Sequence, residues 1–201
     1  MKESLLIIFI KNPELGEVKT RLATSIGDKN ALNVYKKLLQ VTEAAAEEFK
    51  GDRILYTSKP VDRVIWPEYH THTQKGSNLG ERMKNAFEEN FEKGYKKIVL
   101  IGSDLADLEG GLLNNAVQKL NDHEVVLGPA KDGGYYLIGM SKMHPAIFKD
   151  KPWSKEQLFN VTMDQLEKES IPTALLEEKN DIDTIEDLRS SRIYDQFQHL
   201  D

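Results

Sequence analysis

The sequence predicts an α/β fold built on a mainly parallel mixed sheet, and three observations carry that expectation. Short apolar runs alternate along the chain with longer segments of helical period. The first run, SLLIIFI, passes directly into a kinked basic loop, KNPELGEVKTRL. The strongest interior run, KKIVLIGSD, ends on the carboxylate of Asp104. Open α/β sheets bind their ligands just beyond the carboxyl ends of the strands, so both transitions mark places where chemistry is expected.

The elements follow in order. SLLIIFI reads as a buried first strand; it is too short to span a bilayer and lacks the cleavage site of a secretory signal. DKNALNVYKKLLQVTEAAAEEF carries Leu32, Tyr35, Leu38, Leu39 and Thr42 on one face, a long helix with Asp28 as candidate N-cap. RILYTS is a second strand, and VIWPEYH, interrupted by Pro67, a weaker third. NLGERMKNAFEENFEKG turns Met83, Ala86, Phe87 and Phe91 inward and stops at Gly94. After KKIVLIGSD come a helix over GLLNNAVQKL and the strands EVVLGPA and YYLIGM, joined across DGG. SKEQLFNVTMDQLEKE is amphipathic with Ser154 as candidate N-cap, IPTALL is a last strand, and DTIEDLRSS opens a closing helix. Neither an internal repeat nor a low-complexity linker interrupts the chain, which is expected to form one domain over residues 1–201.

Composition narrows the function classes. A chain of 201 residues buries a sizeable core without staples. The absence of cysteine excludes disulfides, thiolate metal sites and cysteine nucleophiles, and fits a cytoplasmic location. A net charge of −6, with 27 Lys and Arg against 33 Asp and Glu, gives no footprint for nucleic-acid binding. No membrane span is expected.

Four clusters carry candidate chemistry. In the first loop Lys11, Lys19 and Arg21 bring three cations to a strand end, a phosphate-handling arrangement, although solvated surface charges are the usual fate of such residues. Neither a P-loop nor a dinucleotide fingerprint is present. In the second cluster, small Gly102 and Ser103 allow close approach of a ligand, and Asp104 suits a hard cation such as magnesium or manganese. Asp107 is the better candidate to cap the helix that follows. In the third, Asp132, Gly133, Gly134 and Tyr135 make a backbone-accessible pocket with an acid and an aromatic, where a tight turn alone needs fewer such residues. In the fourth, NDIDTIEDL, Asp183 and Glu186 fit a capping box, while Asp181 is left over and could complete a divalent-metal site with Asp104. His70 and His72 alternate on a possible strand without a third ligand, and read as surface residues.

Taken together, K-N-P-x-x-G-x-V-K-T-R-L, Q-K-G-S-N-L-G-E-R-M, G-S-D-x-x-D-L, G-P-A-x-D-G-G-Y-Y-L-I-G, Trp153-Ser154 and D-I-D-T-x-E-D-L resemble a bacterial branch of glycosyltransferase-A-like proteins. Its wider relatives include the guanylyltransferases of molybdenum-cofactor and 2-phospholactate chemistry. The resemblance covers nearly the whole chain. It implies a Rossmann-like, three-layer α/β/α nucleotide-diphospho-sugar transferase (GT-A) fold and a metal-dependent glycosyltransferase using a nucleotide-sugar and a small-molecule acceptor. Nucleotidyl transfer to a small phosphorylated acceptor, or nucleotide binding without catalysis, are the alternatives. It places Lys11, Lys19 and Arg21 at the nucleotide phosphates, beside the close backbone approach expected at Gly102, and Asp104 at a divalent cation, magnesium or manganese. Asp183 falls at a second metal-ligand position, and Asp132, Gly133, Gly134 and Tyr135 on the acceptor side, where Asp132 could take the acceptor's proton. Leu105 and Ala106 replace a small residue or Cys followed by Pro, which is expected to loosen the loop after Asp104. The D-x-D of many glycosyltransferases is absent at this strand; the literal D-x-D is Asp181-Ile182-Asp183.

Overall fold

The computed structural model describes residues 3–60 and 65–200. Strand β1 (Ser4–Ile10) is buried along its whole length, as its unbroken apolar run requires. Its alternate side chains enter two different cores. Leu6, Ile8 and Ile10 pack under α2 (Asp28–Glu47) and α4 (Gly110–Lys119), through Tyr35, Leu39, Leu113 and Ala116. Leu5, Ile7 and Phe9 pack under α3 (Leu79–Glu92) and α5 (Leu158–Lys168), through Met83, Phe87 and Leu166. The sheet is therefore covered on both faces, the three-layer arrangement of an α/β protein.

Among the described residues the sheet has seven strands in the order β3-β2-β1-β4-β6-β5-β7. Strands β2 (Asp52–Thr57) and β4 (Lys97–Ile101) flank β1 in parallel, and β3 (His70–Thr73) continues in parallel at the edge. Strand β6 (Tyr135–Met140) runs antiparallel to both β4 and β5 (Val125–Pro129), and β7 (Thr173–Leu175) lies parallel to β5. The expected mixed, mainly parallel sheet is thus present. Because β2 lies on one side of β1 and β4 on the other, the chain order reverses between β1 and β4. The crevice beyond their carboxyl ends is the topological switch point, the favoured ligand site of such sheets.

Two short helices complete the fold. α1 (Thr20–Ile26) takes in the end of the stretch read as a basic loop, so Arg21 stands on a helix, and Leu22 of α1 clusters with Leu188 of α6 (Ile185–Arg189) and with Ile193 beyond it. No helix among the described residues is long and apolar enough to cross a membrane.

Four local expectations are corrected. Gly27, with φ +79°, precedes α2 as its N-cap, so Asp28 is the first helical residue and not the cap. The third strand starts at His70, at the end of VIWPEYH; Trp66 and Tyr69 lie in a turn and bury their rings beneath the sheet, and Val64 lies outside the described residues. Ser154 sits in a left-handed turn (φ +62°), and α5 begins only at Leu158, after Gln157. Asp107 does not cap α4: Glu109 holds the N-cap position without a side-chain bond, and Asp107 accepts from Lys179 Nζ at 2.7 Å.

Candidate active site

The loops leaving β1 and β4 meet at the switch point and are tied together from below. Tyr35, on α2 and 2 % exposed, donates its hydroxyl to the Lys11 carbonyl (3.1 Å), accepts from the Lys11 amide (2.9 Å) and bonds the Ser103 hydroxyl (3.1 Å). One buried phenol therefore sets the spacing of the two loops. The sequence marks Tyr35 only as a core residue, since its periodicity gives no sign that the hydroxyl reaches two loops. Asn12 is a second missed anchor: its side-chain oxygen accepts from the Lys59 amide at 3.2 Å and from the Ser58 hydroxyl at 3.3 Å, fixing the first loop to the end of β2.

Four sequence-selected charged residues converge above these anchors. Lys19 Nζ lies 2.5 Å from Asp104 Oδ1 and 3.2 Å from Asp183 Oδ1. Arg21 Nη2 meets the other oxygen of Asp183 at 2.7 Å. The Lys19 side chain is only 4 % exposed, against 72 % for Arg21. Burial pulls the Lys19 ammonium towards its neutral form, but the charges of Asp104, Asp183 and Asp181 outweigh this and hold its pKa above the ordinary lysine value. Asp181 joins from below. Burial, reinforced by the charge of Asp104, pushes its carboxyl up to about 7, with Lys19 opposing. Its Oδ1 is buried and has no hydrogen-bond partner among the described residues.

The chain path explains this convergence. The Ile182 amide donates to the Asp104 carbonyl at 2.9 Å, and Leu105 forms an antiparallel bridge with Asp181. The segment before α6 is thereby stitched onto the loop after β4. The expected capping box is displaced by one residue: Thr184 is the N-cap of α6 and Asp187 closes the box. Asp183 is therefore not a cap, and its carboxylate turns to Lys19 and Arg21. Leu105 and Ala106, expected to loosen their loop, are buried, and Arg192 Nε donates to the Ala106 carbonyl at 2.6 Å. Packing and this guanidinium hold the loop that lacks the proline.

These groups stand at the head of a cleft of about 540 Å³ whose lining includes Lys11, Gly102, Arg82 and Asp132. The Lys11 side chain is exposed. A methyl group added at Gly102 would meet only the Asp104 carboxylate, at 3.6 Å, so the backbone there is open to a ligand. Gly134 and Tyr135 line the cleft, and Asp132 accepts from the Gly134 amide at 2.9 Å. Gly133 is not among the lining residues: it has φ +83°, and a Cβ there would stand 2.0 Å from the Glu156 carbonyl. Turn geometry and close packing account for that glycine. Trp153 packs its indole against Gly80 at the start of α3. His70 and His72 lie on the edge strand β3, as surface and half-buried residues.

The donors suit a hard divalent cation in kind. Asp104, Asp181 and Asp183 offer carboxylate oxygens, and the orphaned, buried oxygen of Asp181 is a group that a cation would satisfy. The described residues contain no ready group of three His, Cys, Asp or Glu donors at coordination spacing. The Lys19 ammonium sits against Asp104 and Asp183 instead.

With this geometry in place, the profile of the DUF2064 family, described as uncharacterized proteins conserved in bacteria, matches residues 40–155. The chain belongs to that family. A crystal structure of a candidate nucleotide-diphospho-sugar transferase from Desulfovibrio desulfuricans G20 matches at 30 % identity and TM-score 0.91, over 99 % of this chain and 95 % of that one. Two more distant structures share the fold. Rv0371c of Mycobacterium tuberculosis H37Rv in complex with manganese has 14 % identity and TM-score 0.54, over 94 % of this chain and 97 % of that one. The CMP:2-keto-3-deoxy-manno-octonic acid synthetase in complex with CTP has 12 % identity and TM-score 0.57, over 98 % and 99 %. No curated protein sequence matches. This DUF2064 member therefore has the nucleotide-diphospho-sugar transferase fold expected from its motifs.

Proposed function

We propose that the protein is a divalent-metal-dependent glycosyltransferase that takes a nucleotide-diphosphate-sugar donor and a small hydroxyl-bearing acceptor. The observation that carries this reading is the meeting, at the switch point, of a basic loop (Lys11, Lys19, Arg21) with a carboxylate cluster (Asp104, Asp181, Asp183) above one cleft. A diphosphate bridged by a hard cation needs those two sets of groups side by side. The likeness to the Desulfovibrio protein supports the donor class.

Asp104 and Asp183 would hold the cation, magnesium or manganese. When bound, it neutralises charge that develops on the departing diphosphate. Lys11, Lys19 and Arg21 orient the phosphate oxygens and stabilise them by charge-assisted hydrogen bonds, and the bare backbone at Gly102 lets the diphosphate approach. Gly134 and Tyr135 shape the acceptor side, with Gly133 fixing their turn. Asp132, exposed at the cleft wall, accepts the proton of the attacking hydroxyl.

A second reading has one observation in its favour: β4 runs into Gly102-Ser103-Asp104 with a lone carboxylate and no D-x-D. A single acid there, completed by a distant one, suits nucleotidyl transfer, in which the acceptor attacks the α-phosphorus and pyrophosphate leaves. Product analysis separates the two. With a panel of nucleotide-sugars and magnesium, the first reading gives a free nucleoside diphosphate. Nucleoside triphosphates with sugar phosphates give pyrophosphate on the second. Neither product from either panel, with no nucleotide binding, would reject both.

A further inference from the structure

Within the basic loop, Lys19 differs from its neighbours in where its charge lies. Arg21 and Lys11 are solvent-exposed, as phosphate-collecting side chains should be before the ligand arrives. The Lys19 ammonium is withdrawn from solvent and contacts Asp104 Oδ1 and Asp183 Oδ1. Its backbone is left-handed, with φ 50° and ψ 43°, a region that residues bearing a Cβ rarely enter. Lys19 holds the N-cap position of α1 with its side chain buried.

A hard divalent cation would use the same two carboxylates. Two cations at contact distance from one carboxylate oxygen repel each other, even with the Asp104 side chain 44 % exposed. The ammonium and the metal therefore compete for Asp104. The cluster can still attract a cation, because Lys19 and Arg21 supply two positive charges against three carboxylates, and Asp181 keeps an unpartnered buried oxygen. The four-carbon stem of lysine allows the ammonium to leave without movement of the backbone.

We propose that Lys19 is a tethered counter-ion of the metal site: in the free protein it holds the carboxylate oxygens that the divalent cation takes, and once displaced it turns to the phosphates of the donor. This rests on Asp104 and Asp183 being the metal ligands. One consequence is coupling. The metal alone must evict Lys19 into water, whereas with a diphosphate present the ammonium gains a new partner, so each ligand strengthens binding of the other.

Manganese binding without nucleotide, followed by electron paramagnetic resonance, tests the exchange directly in wild type and in Lys19→Met, which keeps the stem and removes the charge. The expected result is tighter binding in the variant, by about tenfold or more, the scale on which neighbours of a metal site tune affinity. Equal or weaker binding in Lys19→Met, with wild type binding manganese, would overturn the counter-ion role while leaving the metal ligands intact. Absence of manganese binding in both proteins, with or without UDP and GDP, would remove the metal site and the counter-ion together.

Should the variant fail to fold, the wild type still decides. Lysine acylation read by mass spectrometry should rise at Lys19 on addition of saturating magnesium and stay constant at Lys179, which is paired with Asp107 and Glu177. Unchanged labelling of Lys19 would contradict displacement.

Discussion

At the scale of single residues, the site is built from groups whose charges do not balance locally. Asp181 is the clearest case, with a buried, unpartnered oxygen and a carboxyl raised from 3.8 to about 7. A carboxyl that binds its proton more tightly when folded costs nothing below pH 3.8. It destabilises increasingly between there and pH 7, and fully above, by up to about 4 kcal/mol. Asp181→Asn should therefore raise the melting temperature at pH 8 and change it little at pH 4; a denaturation series over pH measures this, and an unchanged melting temperature at pH 8 would show that the carboxylate is already satisfied. Tyr35→Phe belongs to the same scale. It removes the hydroxyl that links Lys11 to Ser103, and is expected to cost about 1–2 kcal/mol of stability. It should also weaken nucleoside-diphosphate binding, which calorimetry would read. The charged members of this site were legible as residue types at strand ends, but their pairing was not. Nothing in a one-dimensional pattern tells whether Lys19 meets a phosphate or Asp183, because that depends on a segment 164 residues away.

At the scale of elements, the alternation of apolar runs and helical periods locates the strands that carry the site, but not α1, whose first residues fall in the stretch read as a basic loop. The short runs SLLIIFI and KIVLI read as strands because they are rich in Ile and Leu and too short for a buried helix, and a sheet covered on both faces buries them almost throughout. Boundaries were harder, because local signals compete. DTIE and TIED both satisfy a capping pattern, and the tertiary contact of Asp183 with Lys19 selects the second. The two residues should accordingly separate on mutation. Thr184→Ala is expected to cost about 1 kcal/mol of stability with metal binding retained. Asp183→Ser should lose most metal-dependent binding, and Asp183→Asn, whose amide oxygen can still ligate a hard cation, should retain more. Thermal melts and manganese titrations of the pair would reveal a mistaken register if their effects were reversed. The hairpin before β6 makes a further demand at this scale. Gly133 combines φ +83° with a Cβ position 2.0 Å from the Glu156 carbonyl, so Gly133→Ala should destabilise by about 2–4 kcal/mol in a chemical denaturation curve.

At the scale of the whole molecule, the sheet order places the ends of β1 and β4 side by side, and the chemistry lies where the topology leaves a crevice. Strand order is not readable from local pattern, although the Asp132-Gly133 turn signal between EVVLGPA and YYLIGM agrees with the antiparallel pairing of β5 and β6; the family resemblance implies the fold alone, and the Desulfovibrio structure bears that out. What the molecule does with that crevice is most directly tested at Asp104, the single carboxylate at the end of the central strand. Isothermal titration of a panel of nucleoside diphosphates should give binding in excess magnesium that weakens by about tenfold or more in chelator, a difference of about 1.4 kcal/mol or more. Asp104→Asn should abolish that metal dependence. Equal affinity in magnesium and in chelator for the wild-type protein, or an Asp104→Asn variant that responds to magnesium as wild type does, would contradict a metal-bridged diphosphate at this site.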